Sequence, residues 1–265
     1  MTKLKKLLKK LGPGFITGAS DDDPSGIATY SQTGALFGYS QLWTALFSFP
    51  FMSAIQEMCG RIGLVTGKGL AGVVRQHYSK VVLYFSVSLL FLANTVNIGA
   101  NLGAMAASAQ LLLDVPFVVL LVIITAICLL LQIFVSYHTY ANILKYFTFS
   151  LLAYIVAAFV IKQDWGLAIR SVLIPRIEFT QEYLFNIVAI LGTTISPYLF
   201  FWQASEEVEE EIEAGKLASM GAGIPRFTNR DIRNLRFDTL AGMFFSNLVM
   251  FFVILTAAST LGVHG

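Results

Sequence analysis

The stretch GASDDDPSGIATYSQTG, residues Gly18 to Gly34, sets three carboxylates, a proline and a glycine inside a segment whose flanks are apolar enough to cross a bilayer. In hydrocarbon a charge is costly, and irregular backbone is tolerated only where it is buried in protein or lines a cavity. Asp23-Pro24 reads as a helix start, because Asp caps and Pro suits the first helical position. Ser25 and Gly26 permit irregular backbone. One short helix is therefore predicted to end near Ser20 and a second to begin near Pro24. The turn between them would present bare carbonyls and the Asp23 carboxylate. Asp21 and Asp22 either line the cytoplasmic entrance or cap the first half-helix. The competing reading is a surface turn between misjudged spans.

The rest of the chain supports a membrane setting. Of 265 residues, 56% are hydrophobic and 13% charged, against about 25% charged in a soluble domain. The apolar runs are continuous and long enough to span, which excludes an alternating outer-membrane barrel. The expected class is an all-α polytopic membrane protein, one transporter domain over 1–265. Its spans are predicted at roughly 12–38, 41–66, 81–113, 116–136, 143–161, 183–205 and 238–262, with a charged cytoplasmic connection at 206–237. With the N-terminus in the cytoplasm, Lys162, Arg170 and Arg176 fall outside and the other 15 of the 18 Lys and Arg fall inside. That bias predicts a multi-pass protein of the cell (inner) membrane. Residues 206–214 are expected to extend the sixth helix. Arg226, Arg230, Arg233 and Arg236 belong either to a surface helix near anionic lipid or to a solvated linker.

Catalytic signals are lacking. Cys59 and Cys128 are far apart in apolar segments, and His77, His138 and His264 have no metal-ligand spacing. No Ser/His pair or H-E-x-x-H pattern appears, so an enzyme is not expected, and neither a resident cofactor nor a nucleic-acid partner is indicated. The oligomeric state is not legible. Glu57 and Arg61, four apart, are expected to pair.

The sixth span repeats the interruption of the first. In VAILGTTISPYLFFWQ, residues 188–203, Gly192, Thr193, Thr194, Ser196 and Pro197 fall mid-span, where Pro197 removes a donor and clashes with the preceding turn. Alone this would be an ordinary proline kink. Two interrupted spans separated by five are the signature of inverted-repeat transporters, whose site lies where two broken helices meet.

These residues resemble the Nramp family of divalent-metal transporters. Asp23-Pro24-Ser25-Gly26 is similar to its Asp-Pro-Gly-Asn motif. The flanking GPGF (Gly12 to Phe15), IATYSQTGA (Ile27 to Ala35) and RIGLVTGKGLA (Arg61 to Ala71) resemble its sequence too. The resemblance runs over the whole chain in span order. It implies the LeuT-type inverted-repeat fold of eleven or so spans, of which this chain would be the first seven, truncated thereafter.

The resemblance also implies a metal site, and the chain departs from it. Asp23 keeps the family's Asp. Gly26 stands at the Asn position, Ser196 at the Met position and Tyr198 at the His position, while the ligating carbonyl falls at Thr193. Pro24, Ser25 and Pro197 make the breaks. Without a thioether the site would be all-oxygen, suited to hard ions such as Mg²⁺ and Mn²⁺, with Fe²⁺ compatible. In span three, Asn97 and Ala100 occupy the positions of the family's proton-carrying Asp and Glu, which argues against proton coupling. Asn94, Asn97 and Asn101 share a helical face and either line a polar cavity or bond between helices. Asp22 and Gln203 are expected around the ion or along its path, and Gln56 and Gln203 as outer-sphere hydrogen-bond partners of water on the ion. The expected function is transport of divalent cations, as substrate, across the lipid bilayer. The alternatives are an amino-acid or small organic solute carrier of the same fold, or a non-functional fragment.

Overall fold

The computed structural model describes residues 12–135, 139 and 148–262. The basic N-terminal arm, His138, Lys145, His264 and the start of the span predicted at 143–161 lie outside them. All regular structure among the described residues is helical.

The first span is two helices, α1 (Pro13–Asp21) and α2 (Pro24–Phe37). Each starts on a proline, and Asp23 caps α2 by accepting the Gly26 N–H. α3 (Trp43–Thr66) stops at Gly67, whose φ of 64° is the left-handed conformation that glycine adopts freely. α4 (Leu70–His77), α5 (Lys80–Gln110) and α6 (Phe117–Phe134) follow. A 3-10 turn at Thr148–Leu151 leads into α7 (Leu152–Val160), then α8 (Trp165–Leu173). The sixth span is α9 (Gln181–Thr194) and α10 (Pro197–Glu213), and α11 (Asn229–Thr260) closes the described chain.

Helical structure extends beyond the predicted spans in two places. α10 runs on to Glu213, as expected, but α11 begins at Asn229, well inside the connection predicted at 206–237. The Thr228 side chain accepts the Asp231 N–H while the Asp231 carboxylate accepts the Thr228 N–H. This capping box starts the helix before its apolar run does. Arg230, Arg233 and Arg236 therefore form the first turns of α11 and not a separate surface helix. Likewise the 162–182 connection holds α8, capped by Asp164 and too short to span.

α11 is the axis of the fold, packed on α1, α2, α3 and α7. Lipid supplies no hydrophobic drive between helices, so close approach of small residues matters most. A Cβ added at Gly18 would lie 2.3 Å from the Gly242 carbonyl carbon, and one at Gly34 would lie 2.4 Å from the Ile254 carbonyl oxygen. Around this seam Tyr30, Leu42, Ile190 and the α11 stretch from Val249 to Leu255 form the core. Glu57 pairs with Arg61 along α3 and with Arg236 of α11 at 3.5 Å. By contrast α5 and α6 pack on each other and leave long apolar faces exposed. Among the described residues, Lys80–Gln110, Phe117–Phe134, Gln181–Glu213 and Asn229–Thr260 are long and apolar enough to cross a membrane.

Candidate functional site

The break in the first span brings Asp23 against α5 and α10. Its Oδ1 accepts from the Gly26 N–H at 2.9 Å and the Ser25 hydroxyl at 2.6 Å. Its Oδ2 accepts from Asn97 Nδ2 and Asn101 Nδ2, each at 2.9 Å, and from the Tyr198 hydroxyl at 3.5 Å. One carboxylate thus gathers donors from three helices. Asp23 opens into a cavity of about 600 Å³, lined also by Ser20, Asn94, Gln132 and Trp202. Both readings of the asparagine face hold: Asn94, Asn97 and Asn101 line the cavity, and Asn97 and Asn101 also bond across helices to Asp23. Asn101 was visible in the sequence only by its spacing from Asn97, yet it holds Asp23 equally closely. Its Oδ1 is buried and meets no donor among the described residues.

The second break supplies oxygens, with most of their hydrogens directed back to the helix. Ser196 caps the start of α10 with its backbone, and Pro197 takes the first helical position. The Ser196 hydroxyl donates to the carbonyl oxygens of Gly192, at 3.1 Å, and of Thr193. The Thr193 hydroxyl donates to the Ala189 and Ile190 carbonyls, and Thr194 exchanges a hydrogen bond with Tyr30 at 3.2 Å. Thr193, Ser196 and Gly26 are not among the residues that line the cavity. Gly26 also has a packing reason: a Cβ there would approach the Asp21 carbonyl oxygen to 3.1 Å and the Tyr30 ring to 3.5 Å.

Three expected pathway residues lie elsewhere. Gln203 is fully buried, donates to Thr239 Oγ1 at 2.8 Å and accepts from Thr17 at 3.3 Å, tying α10 to α11 and α1. Gln56 likewise donates to the Leu199 carbonyl at 3.2 Å. Long amides at helix crossings bond to hydroxyls and carbonyls of neighbouring helices, and the sequence pattern does not separate that role from lining a path. Asp22 is buried away from the cavity, and neither carboxylate oxygen meets a donor among the described residues. Asp21 is buried as well and accepts from Ser246 of α11 at 2.7 Å. The order of the three acids along one turn sends only Asp23 toward α5.

No group of three or more His, Cys, Asp or Glu side chains that could hold a metal occurs among the described residues. A cation at Asp23 would have one carboxylate, with amide, hydroxyl and carbonyl oxygens around it. An asparagine amide turned by half a rotation offers oxygen where it now offers nitrogen, so Asn97 and Asn101 can serve the carboxylate alone or an ion beside it.

The architecture is that of known transporters. The chain is similar to a manganese transporter of Eremococcus coleocola solved with an aromatic bis-isothiourea substituted compound, with a TM-score of 0.77 and 19% identity over 97% of this chain. Two mutants of that transporter match with TM-scores of 0.74 and 0.75, at 19% and 18% identity over 97% of this chain. In each case the chain spans about half, 52%, of the solved one. The fold is thus the LeuT-type inverted-repeat fold, in a multi-pass membrane protein. The model of the family described as natural resistance-associated macrophage protein-like matches residues 14–265, and the chain belongs to this family, Nramp.

Proposed function

We infer that the protein carries divalent cations across the cell (inner) membrane, with its N-terminus in the cytoplasm, and that it favours hard ions of the Mg²⁺ and Mn²⁺ type. The observation that carries this reading is the company kept by Asp23. Around its carboxylate stand Asn97, Asn101, Tyr198 and Ser25, with no sulfur ligand and no second carboxylate in hydrogen-bond contact among the described residues. Oxygen ligands suit Mg²⁺ and Mn²⁺, whereas soft ions prefer thioether or thiolate. A cavity of about 600 Å³ leaves room for an ion that keeps several of its waters, as Mg²⁺ does. The Thr193 carbonyl and Ser196 join the ligand set when the Ser196 hydroxyl turns from Thr193 toward the ion, and Gly26 gives the ion access to the broken backbone.

Transport proceeds without protons in this reading. Asn97 sits directly on Asp23, where a carboxylate could have relayed a proton, and an amide cannot. Tyr198 takes the place of the family's His and contributes a hydroxyl. The test is flux into proteoliposomes holding the complete reading frame, with an internal pH dye and Asp23→Ala as control. Saturable Mg²⁺ or Mn²⁺ uptake without acidification, lost in the variant, is expected. Acidification that tracks the metal refutes the uncoupled mechanism. Absence of metal flux refutes the metal assignment and favours an organic-solute carrier.

A further inference from the structure

Asp23 is satisfied by the protein itself. A carboxylate accepts along about four lone-pair directions. The Gly26 N–H and the Ser25 hydroxyl take the two on Oδ1, and Asn97 and Asn101 take the two on Oδ2. The Tyr198 hydroxyl, 3.5 Å from Oδ2, stands at the limit of contact. A cation that reaches this carboxylate therefore has to displace a donor. Both donors on Oδ1 come from the first turn of α2, and neither Ser25 nor Gly26 lines the cavity. Asn97 and Asn101 do line it, so Oδ2 is the oxygen that an ion in the cavity meets.

The two asparagines are not equivalent. Both place Nδ2 at 2.9 Å from Asp23 Oδ2. The Oδ1 of Asn101, however, is buried and meets no donor among the described residues, and the Oδ1 of Asn97 is not left this way. A buried amide oxygen without a donor is unfavourable. Turning the Asn101 amide over by half a rotation exchanges its nitrogen and its oxygen. The turn breaks the hydrogen bond to Asp23 and no other, because the oxygen has none to lose. It also brings that oxygen beside Asp23 Oδ2, where a cation would stand.

We propose that Asn101 is a direct ligand of the carried cation through Oδ1, its amide turning over as the ion arrives, while Asn97 stays on Asp23. A carboxylate oxygen from the break of the first span and an amide oxygen from α5 then share the ion. Arrival of the ion replaces the Asn101 hydrogen bond with a contact that runs through the metal, so α5 reports whether the site is filled. Keeping this second ligand neutral limits affinity, since divalent-cation sites tighten with the number of charged ligands. The inference rests on the reading of the protein as a divalent-cation carrier, and it names the residue that sets how tightly, and which, ions are held.

Two measurements on the complete reading frame test it: uptake of Mn²⁺, Mg²⁺ and Ca²⁺ by proteoliposomes, and the rise in melting temperature that each ion gives the purified protein. Asn101→Leu keeps the bulk and removes the oxygen. The KM for Mn²⁺ should rise about tenfold or more with little change in maximal rate, and the Mn²⁺-induced rise in melting temperature should shrink. Asn101→Asp sets a second carboxylate against the first. It should melt below the native protein without metal and gain more than the native protein from Mn²⁺ and Ca²⁺. An asparagine that only braces Asp23 would not give that gain. Thr95→Ala is the control on the same helix, since the Thr95 hydroxyl is exposed and donates to the Phe91 carbonyl at 2.8 Å. A native KM in Asn101→Leu, or a response of Asn101→Asp to Mn²⁺ and Ca²⁺ no larger than the native one, overturns the proposal. Where Asn101→Leu does not fold, Asn101→Asp alone decides. A native protein that takes up none of the three ions and is stabilised by none refutes the carrier reading itself, and the proposal with it.

Discussion

Replacing Gly18 by alanine should loosen the ion site without touching it. The added Cβ would stand 2.3 Å from the Gly242 carbonyl carbon, 2.4 Å from its oxygen and 2.6 Å from its Cα. Ordinary contact begins at 3.4 Å, so α1 and α11 would have to separate by roughly 1 Å, and the obstacle is backbone that cannot turn aside. Overpacking of this kind costs about 1–3 kcal/mol. For a domain of this size that lowers the melting temperature by roughly 2–4 °C per kcal/mol, or about 2–12 °C. Gly166→Ala in α8 is the control, since its Cβ would meet only an Asp164 oxygen at 3.5 Å. Alanine there should be neutral or slightly stabilising. The assay is thermal unfolding of both variants in one detergent, together with metal uptake by the complete protein. Gly18→Ala should melt below Gly166→Ala and take up metal more slowly, because α1 leads into the break that carries Asp23. If the two melt together, the α1–α11 seam is not as tight as the geometry states and the reasoning fails.

Ser196→Met restores a thioether at the second break. Cd²⁺ should then compete with Mn²⁺ uptake at least about tenfold better than in the native protein, while Mg²⁺ uptake falls. Equal Cd²⁺ inhibition of both proteins would remove Ser196 from the ligand set. At the start of α11, partial burial tends to raise the Asp231 pKa, but hydrogen bonds from the Thr228 side chain and backbone, with Lys216 nearby, outweigh it and hold the carboxyl below its usual value. A depressed folded-state pKa means stability that is present above the unfolded value, about pH 4, and lost as pH falls through the folded one. The native protein should therefore lose stability below about pH 4 more steeply than Asp231→Asn, as read from melting temperature against pH. Parallel profiles would show that the Thr228–Asp231 box does not stabilise the helix start.

The class of this protein and its broken spans were legible in one dimension. Long apolar runs declare themselves by composition, and the Asp23-Pro24 and Ser196-Pro197 pairs mark breaks by a local rule, although a proline alone does not suffice: Pro50 lies inside the continuous α3. The neighbourhood of Asp23 was legible in part for the same reason: Asn97 and Asn101 share a face because helical spacing places them there. What the linear pattern could not decide was which side chains meet across helices. Asp21, Asp22 and Asp23 look alike in sequence, yet Asp21 meets Ser246, Asp22 is buried, and Asp23 meets α5. Gln203 looks like a path residue and is a strut between α1, α10 and α11. The start of α11 at Asn229 depends on a reciprocal cap, which hydropathy does not register. Local steric and capping rules act within a few residues and can be read along the chain. Which polar group faces which is set by helix rotation and by seams such as Gly18 against Gly242, and those exist only once distant segments are packed together.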